Sequence, residues 1–267
     1  MPTIPQRRAP AVRRLLRAPV VRTERTSEHF VTLTLGGEAL AEFVPLGFDQ
    51  CVRLFFPREG QSGLRLPTAS SNRWFAQYLL MSQTSRPWVR NYTVRAFRPE
   101  AAELDVQFAV HEDGGPATRF ALAAKAGDEV GLLDEGITFL PPDSGTQLII
   151  ADESAVPAAL AVLEASPVDL KATVLLEVGA PGDIQPVAAP AGAEVRWLVR
   201  EDDRLPGRLA LDVLTGLDPA DPPDYTWVAG ESGLATGARR FLTRERGVPK
   251  GNIAFFGYWK HGRAAAG

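Results

Sequence analysis

Residues 147–164 read QLIIADESAVPAALAVLE, and this stretch decides the fold of the second half of the chain. Residues 147–151 form an almost continuous apolar run, which is typical of a strand buried on both faces of a sheet. Residues 155–164 are rich in Ala and Leu and favour a helix. A strand that passes directly into a helix is the unit from which parallel sheets are built.

The same alternation continues towards the C-terminus. Further strands are predicted at residues 172–178, 194–199, 225–229 and 252–258, and helices at 208–214 and 234–246. Strands that alternate with helices predict a doubly wound parallel sheet.

The first half of the chain has a different period, with short runs of alternating apolar and polar residues between Gly and Pro. Strands are predicted at residues 20–21, 29–35, 51–56, 89–97, 103–111 and 129–133, with helices at 72–81 and 116–124. This pattern indicates an N-terminal antiparallel six-stranded barrel. The period changes at the linker PPDSG, residues 141–145, so we expect domains at residues 1–141 and 142–267.

Composition excludes several classes of protein. The chain has 267 residues, of which 45% are apolar, so wholesale disorder is excluded. The single cysteine, Cys51, excludes an intrachain disulfide framework and a Cys-ligated iron–sulfur cluster within this chain. Three histidines argue against a His-rich metal site, and we expect no metal site. A charge of −3 is atypical of nucleic-acid binders.

Charge is distributed unevenly along the chain. Residues 1–141 hold 17 Lys and Arg against 15 Asp and Glu, and the remainder holds 12 against 17. Seven arginines and one glutamate lie in the first 25 residues, which indicates either a tail leading into a first strand or a basic arm for an acidic partner. Because the sequence lacks the apolar core of a signal peptide and any uncharged apolar run near the ~18 residues of a membrane span, we expect a cytoplasmic protein.

A barrel followed by an α/β sheet is the layout of flavin reductases that take hydride from a nicotinamide, and Arg90-Asn91-Tyr92-Thr93 fits that layout. On a strand, Arg90 and Tyr92 face one side and Thr93 the other. Tyr92 can lie against a flavin ring, Arg90 can pair with a diphosphate, and Thr93 can hydrogen-bond near flavin N5. The alternative is an ordinary strand with a packed tyrosine.

Residues 111–118, HEDGGPAT, indicate a strand end, a Gly-rich turn and a helix start. Glycine lets the backbone approach a ligand, and proline suits the first helical turn. The exposed amides and positive dipole end of such a helix bind anions, so residues 116–119 and the Thr118 hydroxyl are predicted to bind a diphosphate. A Gly-Pro turn with no ligand is the alternative.

Ligands of open α/β sheets bind beyond the carboxyl ends of the strands. Two motifs take that position: Asp152, Glu153, Ser154 and Ala155 after one strand, and Gly230, Glu231 and Ser232 after another. Asp152 and Glu153 would repel a phosphate, so they are predicted to hold hydroxyl or amide groups or to cap the next helix. Arg196, Arg200 and Arg204 follow or flank the strand 194–199. One of them, with Arg200 as the first candidate, can hold a 2′-phosphate, which would favour NADPH.

Five motifs occur in order: RNYTVR at 90–95, HEDGGPATRFA at 111–121, ADESAVPA at 151–158, WVAGES at 227–232 and GYWKHG at 257–262. With these motifs the chain resembles the siderophore-interacting proteins, NADPH-dependent ferric-siderophore reductases in the ferredoxin–NADP reductase superfamily. The resemblance covers residues 12–263. It departs at Ser154 and Phe120, where the family has Thr and Trp, and at residues 133–136, LDEG, where a Gly-Pro-rich turn is usual. Residues 57–88 do not align.

The resemblance implies that residues 1–141 form a FAD-binding barrel and residues 142–267 an NAD(P)H-binding domain. It assigns FAD contacts to eight residues: Arg90, Tyr92, Thr93, His111, Gly115, Pro116, Ala117 and Thr118. The cofactor NADPH or NADH is expected at residues 152–155 and 230–232. Tyr258 and Trp259 are expected near the flavin, with a packed core position as the alternative.

The implied reaction passes hydride from NAD(P)H to the flavin and then single electrons to chelated Fe(III), which releases Fe(II) because hard oxygen ligands hold it less tightly. No catalytic protein residue is required. Ferric catecholates are anionic, so the substrate candidates are basic: Arg53, Arg65, Arg73, Lys260 and Arg263. The alternatives are a reductase for a redox protein or quinone and a non-catalytic flavin or siderophore binder. Reduced ferredoxin is a second possible donor, and we expect a monomer with no nucleic-acid or membrane partner.

Overall fold

The computed structural model describes residues 7–71, 73–111, 114–143, 145–201, 203–217 and 222–263. The chain divides into two compact units. One comprises residues 9–46 and 50–137, and the other runs from Thr138 towards the C-terminus and includes Gly47–Asp49 and, of the described residues near the N-terminus, Arg7 and Arg8. The motif residues Glu112 and Asp113 and the linker residue Ser144 lie outside the described residues. The domain border after residue 141 stays a prediction.

The first unit is an antiparallel sheet of seven strands in the order β4-β3-β7-β1-β2-β6-β5. Its strands are β1 (Leu15–Arg25), β2 (Phe30–Gly36), β3 (Cys51–Phe56), β4 (Trp88–Thr93), β5 (Ala96–Arg98), β6 (Glu103–Ala109) and β7 (Glu129–Gly136). The helices of this unit are α1 (Arg73–Leu80) and α2 (Pro116–Ala123).

The two edge strands β4 and β5 are halves of one bent segment. β4 pairs with β3 and β5 pairs with β6. Between them the Val94 amide donates to the Gln50 carbonyl at 2.8 Å and the Arg95 amide donates to the Asp105 carbonyl at 2.9 Å. The segment therefore joins both edges of the sheet, and the sheet closes with six strand positions. The predicted antiparallel barrel is confirmed, with the strand predicted at 89–97 divided in two.

Apolar side chains of the barrel lie in two clusters because neighbouring residues of a strand face opposite sides. Phe56 belongs to the interior cluster and stacks on Phe120 of α2, with ring centroids 4.9 Å apart. Phe55 belongs to the second cluster, with Trp74 and Tyr78 of α1. The unaligned residues 57–88 therefore add a helix with a small core of its own.

Most of the arginines near the N-terminus are part of the barrel unit, which begins at Ala9. Strand β1 begins at Leu15, earlier than the predicted residue 20. Four arginines pair with acids of this unit: Arg13 with Glu135, Arg14 with Glu42, Arg17 with Glu129 and Arg22 with Glu103. These pairs favour the interpretation as a first strand over that as a free basic arm.

The second unit is a parallel sheet of five strands in the order β10-β9-β8-β11-β12. Its strands are β8 (Thr146–Ala151), β9 (Lys171–Val178), β10 (Ala193–Val199), β11 (Tyr225–Glu231) and β12 (Ile253–Trp259), and its helices are α3 (Val156–Ala165), α4 (Arg208–Gly216) and α5 (Ser232–Glu245). The chain winds outwards from β8 on one side and from β11 on the other, so the predicted doubly wound sheet is confirmed. The link between β9 and β10 holds a 3₁₀ turn, Pro181–Asp183, in place of an α-helix.

Apolar side chains of β8, β9 and β11 pack against α4 and α5 on one face of the sheet. Helix α3 is buried at every position from Val156 to Leu163, which explains why its sequence is apolar on all sides. No helix in the described part of the chain has the length and apolar character needed to cross a membrane.

Asp49 holds the start of the second unit. Its buried carboxylate accepts from the Thr138 and Phe139 amides, each at 2.9 Å, and from the Trp227 indole nitrogen at 3.2 Å. Trp227 is fully buried, so its N–H needs this acceptor. The ring of Phe48 packs on Phe139, with centroids 5.5 Å apart.

Candidate functional site

Strand β4 carries the first predicted group, Arg90, Tyr92 and Thr93. The ring of Tyr92 packs on Phe108, with centroids 4.2 Å apart and an interplanar angle of 44°. Burial raises the pKa of Tyr92 well above its usual range, so the phenol stays protonated. Thr93 is buried.

Two guanidinium groups lie at the indole of Trp88. The Arg58 guanidinium carbon is 3.9 Å from a Trp88 ring centroid, and that of Arg90 is 5.3 Å away. Burial, together with the positive charge of Arg58, lowers the pKa of Arg90. Trp88 and Arg58 were not predicted from the sequence, although Trp88 lies on the same side of the strand as Arg90 and Tyr92. Positive charge concentrated in this way suits a phosphate ligand.

The turn before α2 leaves open space at a helix N-terminus. Gly115 is the N-cap residue and has no side chain with which to cap the helix. A Cβ at Gly115 would meet no atom of the described residues within 4 Å, whereas a Cβ at Gly114 would lie 2.3 Å from the Thr118 Cβ. Gly114 thus permits close packing on Thr118, and Gly115 leaves room before the first helix amides.

These groups of the barrel unit fit the diphosphate of FAD. The donors are a guanidinium, helix amides and a hydroxyl, and the turn supplies the space that an anion at a helix N-terminus requires. The His111 carbonyl closes the turn by accepting from the Gly114 amide at 2.9 Å. Contacts of FAD with His111, Gly115, Pro116, Ala117 and Thr118 stay predictions.

The structure brings the two motifs of the second unit together where the winding of the sheet reverses, between β8 and β11. Asp152 follows β8 and is fully buried. Its carboxylate accepts from the Ser154 amide at 2.9 Å, from the Ser154 hydroxyl at 2.6 Å and from the Glu231 amide. Gly230 has a φ of 137°, and a Cβ there would lie 2.4 Å from the Asp152 carboxyl carbon, so this contact requires glycine.

The charge of Asp152 is sensitive to pH near neutrality. Burial, and then the negative charge of Glu153, raise the pKa of Asp152 to about 7, against the hydrogen bonds from Ser154, Glu231 and Trp259. Because the oxygens of Asp152 already accept from this chain, these turns have chiefly backbone groups to offer a dinucleotide. Contacts of residues 152–155 and 230–232 with NAD(P)H stay predictions.

Arg200 lies in a buried ion network. Its side chain is 12% exposed and donates to Glu153 at 2.9 and 3.0 Å and to Glu177 at 3.0 Å. Glu177 is fully buried and also accepts from the Gly207 and Ala210 amides at 2.7 and 2.8 Å, which caps α4. A 2′-phosphate would have to compete with these carboxylates. The assignment of Arg200 to NADPH stays a prediction.

The end of β12 and the residues after it are held by both motifs. The Trp259 indole nitrogen donates to Asp152 at 3.1 Å, the Ser232 hydroxyl donates to the Trp259 carbonyl at 2.7 Å, and the His261 amide donates to Glu231 at 3.2 Å. Tyr258 is 43% exposed. Proximity of Tyr258 and Trp259 to the flavin stays a prediction.

The basic substrate candidates fall into two groups. Arg53, Arg65 and Arg73 belong to the barrel unit, and Lys260 and Arg263 follow β12. Arg65, Arg73, Lys260 and Arg263 are exposed. All five stay predictions as siderophore contacts.

Arg53 differs from the other four because a buried carboxylate balances its charge. It donates to Glu135 at 2.8 Å and lies 4.9 Å from the Trp74 ring. Glu135 also pairs with Arg13 and lies in the segment 133–136, where the sequence departs from the family. Glu135, in the segment that departs from the family, is therefore held by Arg13 and Arg53.

Sequence reasoning missed several buried acids, Asp49, Glu135 and Glu177. Glu177 had a visible signal, since it is the one charged residue between apolar neighbours in the run ATVLLEV. Asp49 had none, because its partners lie far along the chain.

Comparison with known proteins gives matches in both units. The family model of the siderophore-interacting FAD-binding domain matches residues 19–138, and that of the siderophore-interacting protein matches residues 145–262. Ferric vibriobactin reductase ViuB of Vibrio cholerae is 30% identical over 249 residues, which cover 91% of this chain and 88% of that protein. The NADPH-dependent ferric-chelate reductase of Escherichia coli is 31% identical over 245 residues, which cover 90% and 91%.

Solved structures agree with this result. A siderophore utilization protein from T. fusca superposes with a TM-score of 0.83 at 30% identity, covering 97% of this chain and 98% of that one. The ferredoxin reductase in carbazole 1,9a-dioxygenase superposes with a TM-score of 0.66 at 18% identity, covering 94% of this chain and 71% of that one, and so shares the fold.

Proposed function

The chain belongs to the siderophore-interacting protein family, and we propose that it reduces ferric siderophores with electrons from NAD(P)H that pass through bound FAD. One observation carries this proposal. A barrel with a guanidinium on β4 and a glycine-capped helix N-terminus at α2 is joined, in one chain, to a doubly wound sheet whose switch point lies between β8 and β11.

The residues of the barrel unit bind and orient the cofactor. Bound FAD supplies the chemistry, since it accepts two electrons from a reduced nicotinamide and releases them singly. Arg90 and the amides at the start of α2 would hold the diphosphate, and Tyr92 would lie against the flavin ring. Because burial raises the pKa of Tyr92, its hydroxyl stays protonated and brings no negative charge to the site.

The second unit binds the electron donor at the carboxyl edge of β8 and β11. The backbone of residues 152–155 and 230–232 contacts the nicotinamide dinucleotide, while the side chain of Asp152 fixes the distance between the two turns. NADPH is the first donor to test, since the E. coli relative is named for it.

The acceptor is Fe(III) in a siderophore. One NAD(P)H reduces two ferric chelates and yields NAD(P)⁺, a proton and two Fe(II) ions. Hard oxygen ligands hold Fe(II) less tightly than Fe(III), so the reduced iron leaves the chelate. Exposed basic residues of the two units, Arg65, Arg73, Lys260 and Arg263, attract an anionic chelate.

Anaerobic titration of the FAD-loaded protein tests the proposal. We expect NADPH to bleach the flavin absorbance, and a ferric siderophore to restore it while a ferrous chelator traps two Fe(II) per NADPH. Bleaching that a quinone or redox protein reverses, and that ferric chelates do not, would show a different acceptor. Protein that binds siderophore but is bleached by no donor, reduced ferredoxin included, would be a non-catalytic binder.

We also infer that the enzyme acts as a monomer in the cytoplasm, where reduced nicotinamides are available. Sedimentation of the FAD-loaded protein tests the monomer, and a species of twice the chain mass would contradict it. Bleaching by reduced ferredoxin faster than by NADPH or NADH would replace the nicotinamide as donor.

A further inference from the structure

The five residues that end the described chain, Trp259 to Arg263, form an anchored segment, which we call the basic segment. Three different side chains of this unit hold it: Asp152 accepts from the Trp259 indole, Ser232 donates to the Trp259 carbonyl, and Glu231 accepts from the His261 amide. The segment also closes on itself, through a β-bridge between Lys260 and Arg263.

The anchoring atoms belong to residues that sequence reasoning assigned to the nicotinamide. Asp152 is fully buried and accepts from Ser154 as well as from Glu231 and Trp259. The Glu231 carboxylate accepts from the Gly233 amide and so caps α5. Side chains so fully engaged with their own chain act by holding other residues in place.

The packing around the anchors is close enough to require glycine twice. A Cβ at Gly257 would lie 2.6 Å from the Ser232 hydroxyl oxygen, and one at Gly230 would lie 2.4 Å from the Asp152 carboxyl carbon. The glycines of the motifs WVAGES and GYWKHG therefore bring β11, β12 and the turn after β8 into contact. Shape and hydrogen bonds both fix where the basic segment leaves the sheet.

The charge of the basic segment is opposite to that of its unit. Lys260 and Arg263 are exposed and lie within four residues, whereas residues 142–267 hold 12 Lys and Arg against 17 Asp and Glu. An anionic ligand that approaches this unit meets positive charge at the basic segment, although the net charge of the unit is negative. A fixed backbone keeps both charges in one place, which favours binding of a compact anion.

We propose that Asp152, Glu231 and Ser232 are positioning residues that hold the basic segment as a docking element for the anionic ferric chelate. Their side chains then act on the electron acceptor, while the backbone of the same turns contacts the nicotinamide. This inference rests on the proposed function, since it concerns the oxidising half of that reaction.

The two half-reactions can be measured separately with Ser232→Ala. We expect the KM for a ferric triscatecholate to rise about fivefold, the factor that one ordinary hydrogen bond is worth, and the KM for a neutral ferric trihydroxamate to rise less. The rate of anaerobic bleaching by NADPH should fall by a smaller factor than the KM for the triscatecholate rises, because the Ser232 hydroxyl bonds the Trp259 carbonyl whereas the backbone of residues 230–232 contacts the dinucleotide. Thr243→Ala is the matched control, because Thr243 also lies on α5 and donates its hydroxyl to a backbone carbonyl, at 2.9 Å.

A double variant shows whether Ser232 acts through the basic segment. Lys260→Gln alone should raise the KM for the triscatecholate. Adding Ser232→Ala should raise this KM little further, because the effects of substitutions at residues that act through one another are not additive. Independent, multiplying effects would overturn the inference, as would an unchanged acceptor KM or a loss in bleaching rate as large as the acceptor effect. If the parent protein is not bleached by a nicotinamide or not reoxidised by ferric chelates, the proposed function has failed instead.

Discussion

Replacing Arg200 by Met should cost the second unit a large part of its stability. The guanidinium is the partner of two carboxylates, Glu153 and Glu177, whose side chains are 2% and 0% exposed. The variant removes the guanidinium that these two buried acids share. Breaking a buried pair in this way costs about 3–5 kcal/mol, against a total of about 5–15 kcal/mol for a domain.

Arg196→Met is the matched control for this prediction. Arg196 also pairs with a glutamate, Glu194, but the two side chains are 43% and 63% exposed. An exposed pair is worth about 0–1 kcal/mol, so the control should stay close to the parent. Urea unfolding followed by circular dichroism and by tryptophan fluorescence gives both free energies. Two variants within about 1 kcal/mol of each other would refute the buried network.

The same network allows a test of cofactor choice with Arg200→Lys, which keeps the charge. If Arg200 acts by holding Glu153 and Glu177, the KM values for NADPH and NADH should change by the same factor. A rise confined to NADPH would assign the guanidinium to the 2′-phosphate and refute this interpretation. Glu177 caps α4 from beneath, so Glu177→Gln should affect NADPH and NADH alike as well.

Three further predictions concern the two sites. Arg90→Ala should weaken FAD binding by at least tenfold, because a charge-assisted hydrogen bond is worth about 1.5–3 kcal/mol; Arg17→Ala, in an exposed pair on β1, should bind FAD as the parent does, and equal FAD retention by both would contradict the placement of the site. Gly115→Asp should leave the FAD-free protein as stable or more stable, since Asp is a good N-cap, yet should lower FAD affinity by repelling the diphosphate; unchanged affinity in equilibrium dialysis would mean that the anion binds elsewhere. The pKa of Asp152 is about 7 in the folded protein and about 4 in the unfolded chain. The free energy of unfolding of the parent should therefore fall relative to that of Asp152→Asn as the pH rises from about 4 to 7. Unfolding free energies of the two proteins that change with pH in parallel would count against a raised pKa.

The sequence predicted those elements whose pattern is local. The apolar run 147–151 became β8 because a strand covered on both faces needs no polar residues. Strand β1 was foreseen only in part, since its arginines hid an eleven-residue strand whose acidic partners come from distant segments. The break at Val94 and Arg95 was not foreseen, because it depends on a change of pairing partner from β3 to β6.

The candidate site was predictable in position but not in detail. The motifs after β8 and β11 meet as the sheet topology requires. That Asp152 would bond Trp259, 107 positions away, or that Arg200 would lie between two acids, depends on contacts that one sequence does not display. A buried charge is visible in a sequence, but its partner is not.

Gly47–Asp49 belong to the second unit, although residues 50–137 of the barrel lie between them and Thr138 in the sequence. A fragment that starts at residue 142 encodes every strand of the parallel sheet, yet it lacks the carboxylate that receives the Trp227 indole and the Thr138 and Phe139 backbone that this carboxylate binds. During synthesis Asp49 leaves the ribosome long before Trp227, so the hydrogen bond between them forms only after the later part of the chain has been made. If two relatives exchanged domains at the linker, the chimera would contain Asp49 from one parent and Trp227 from the other. Both residues of this hydrogen bond come from the same parent only when residues 47–49 are transferred together with the parallel sheet.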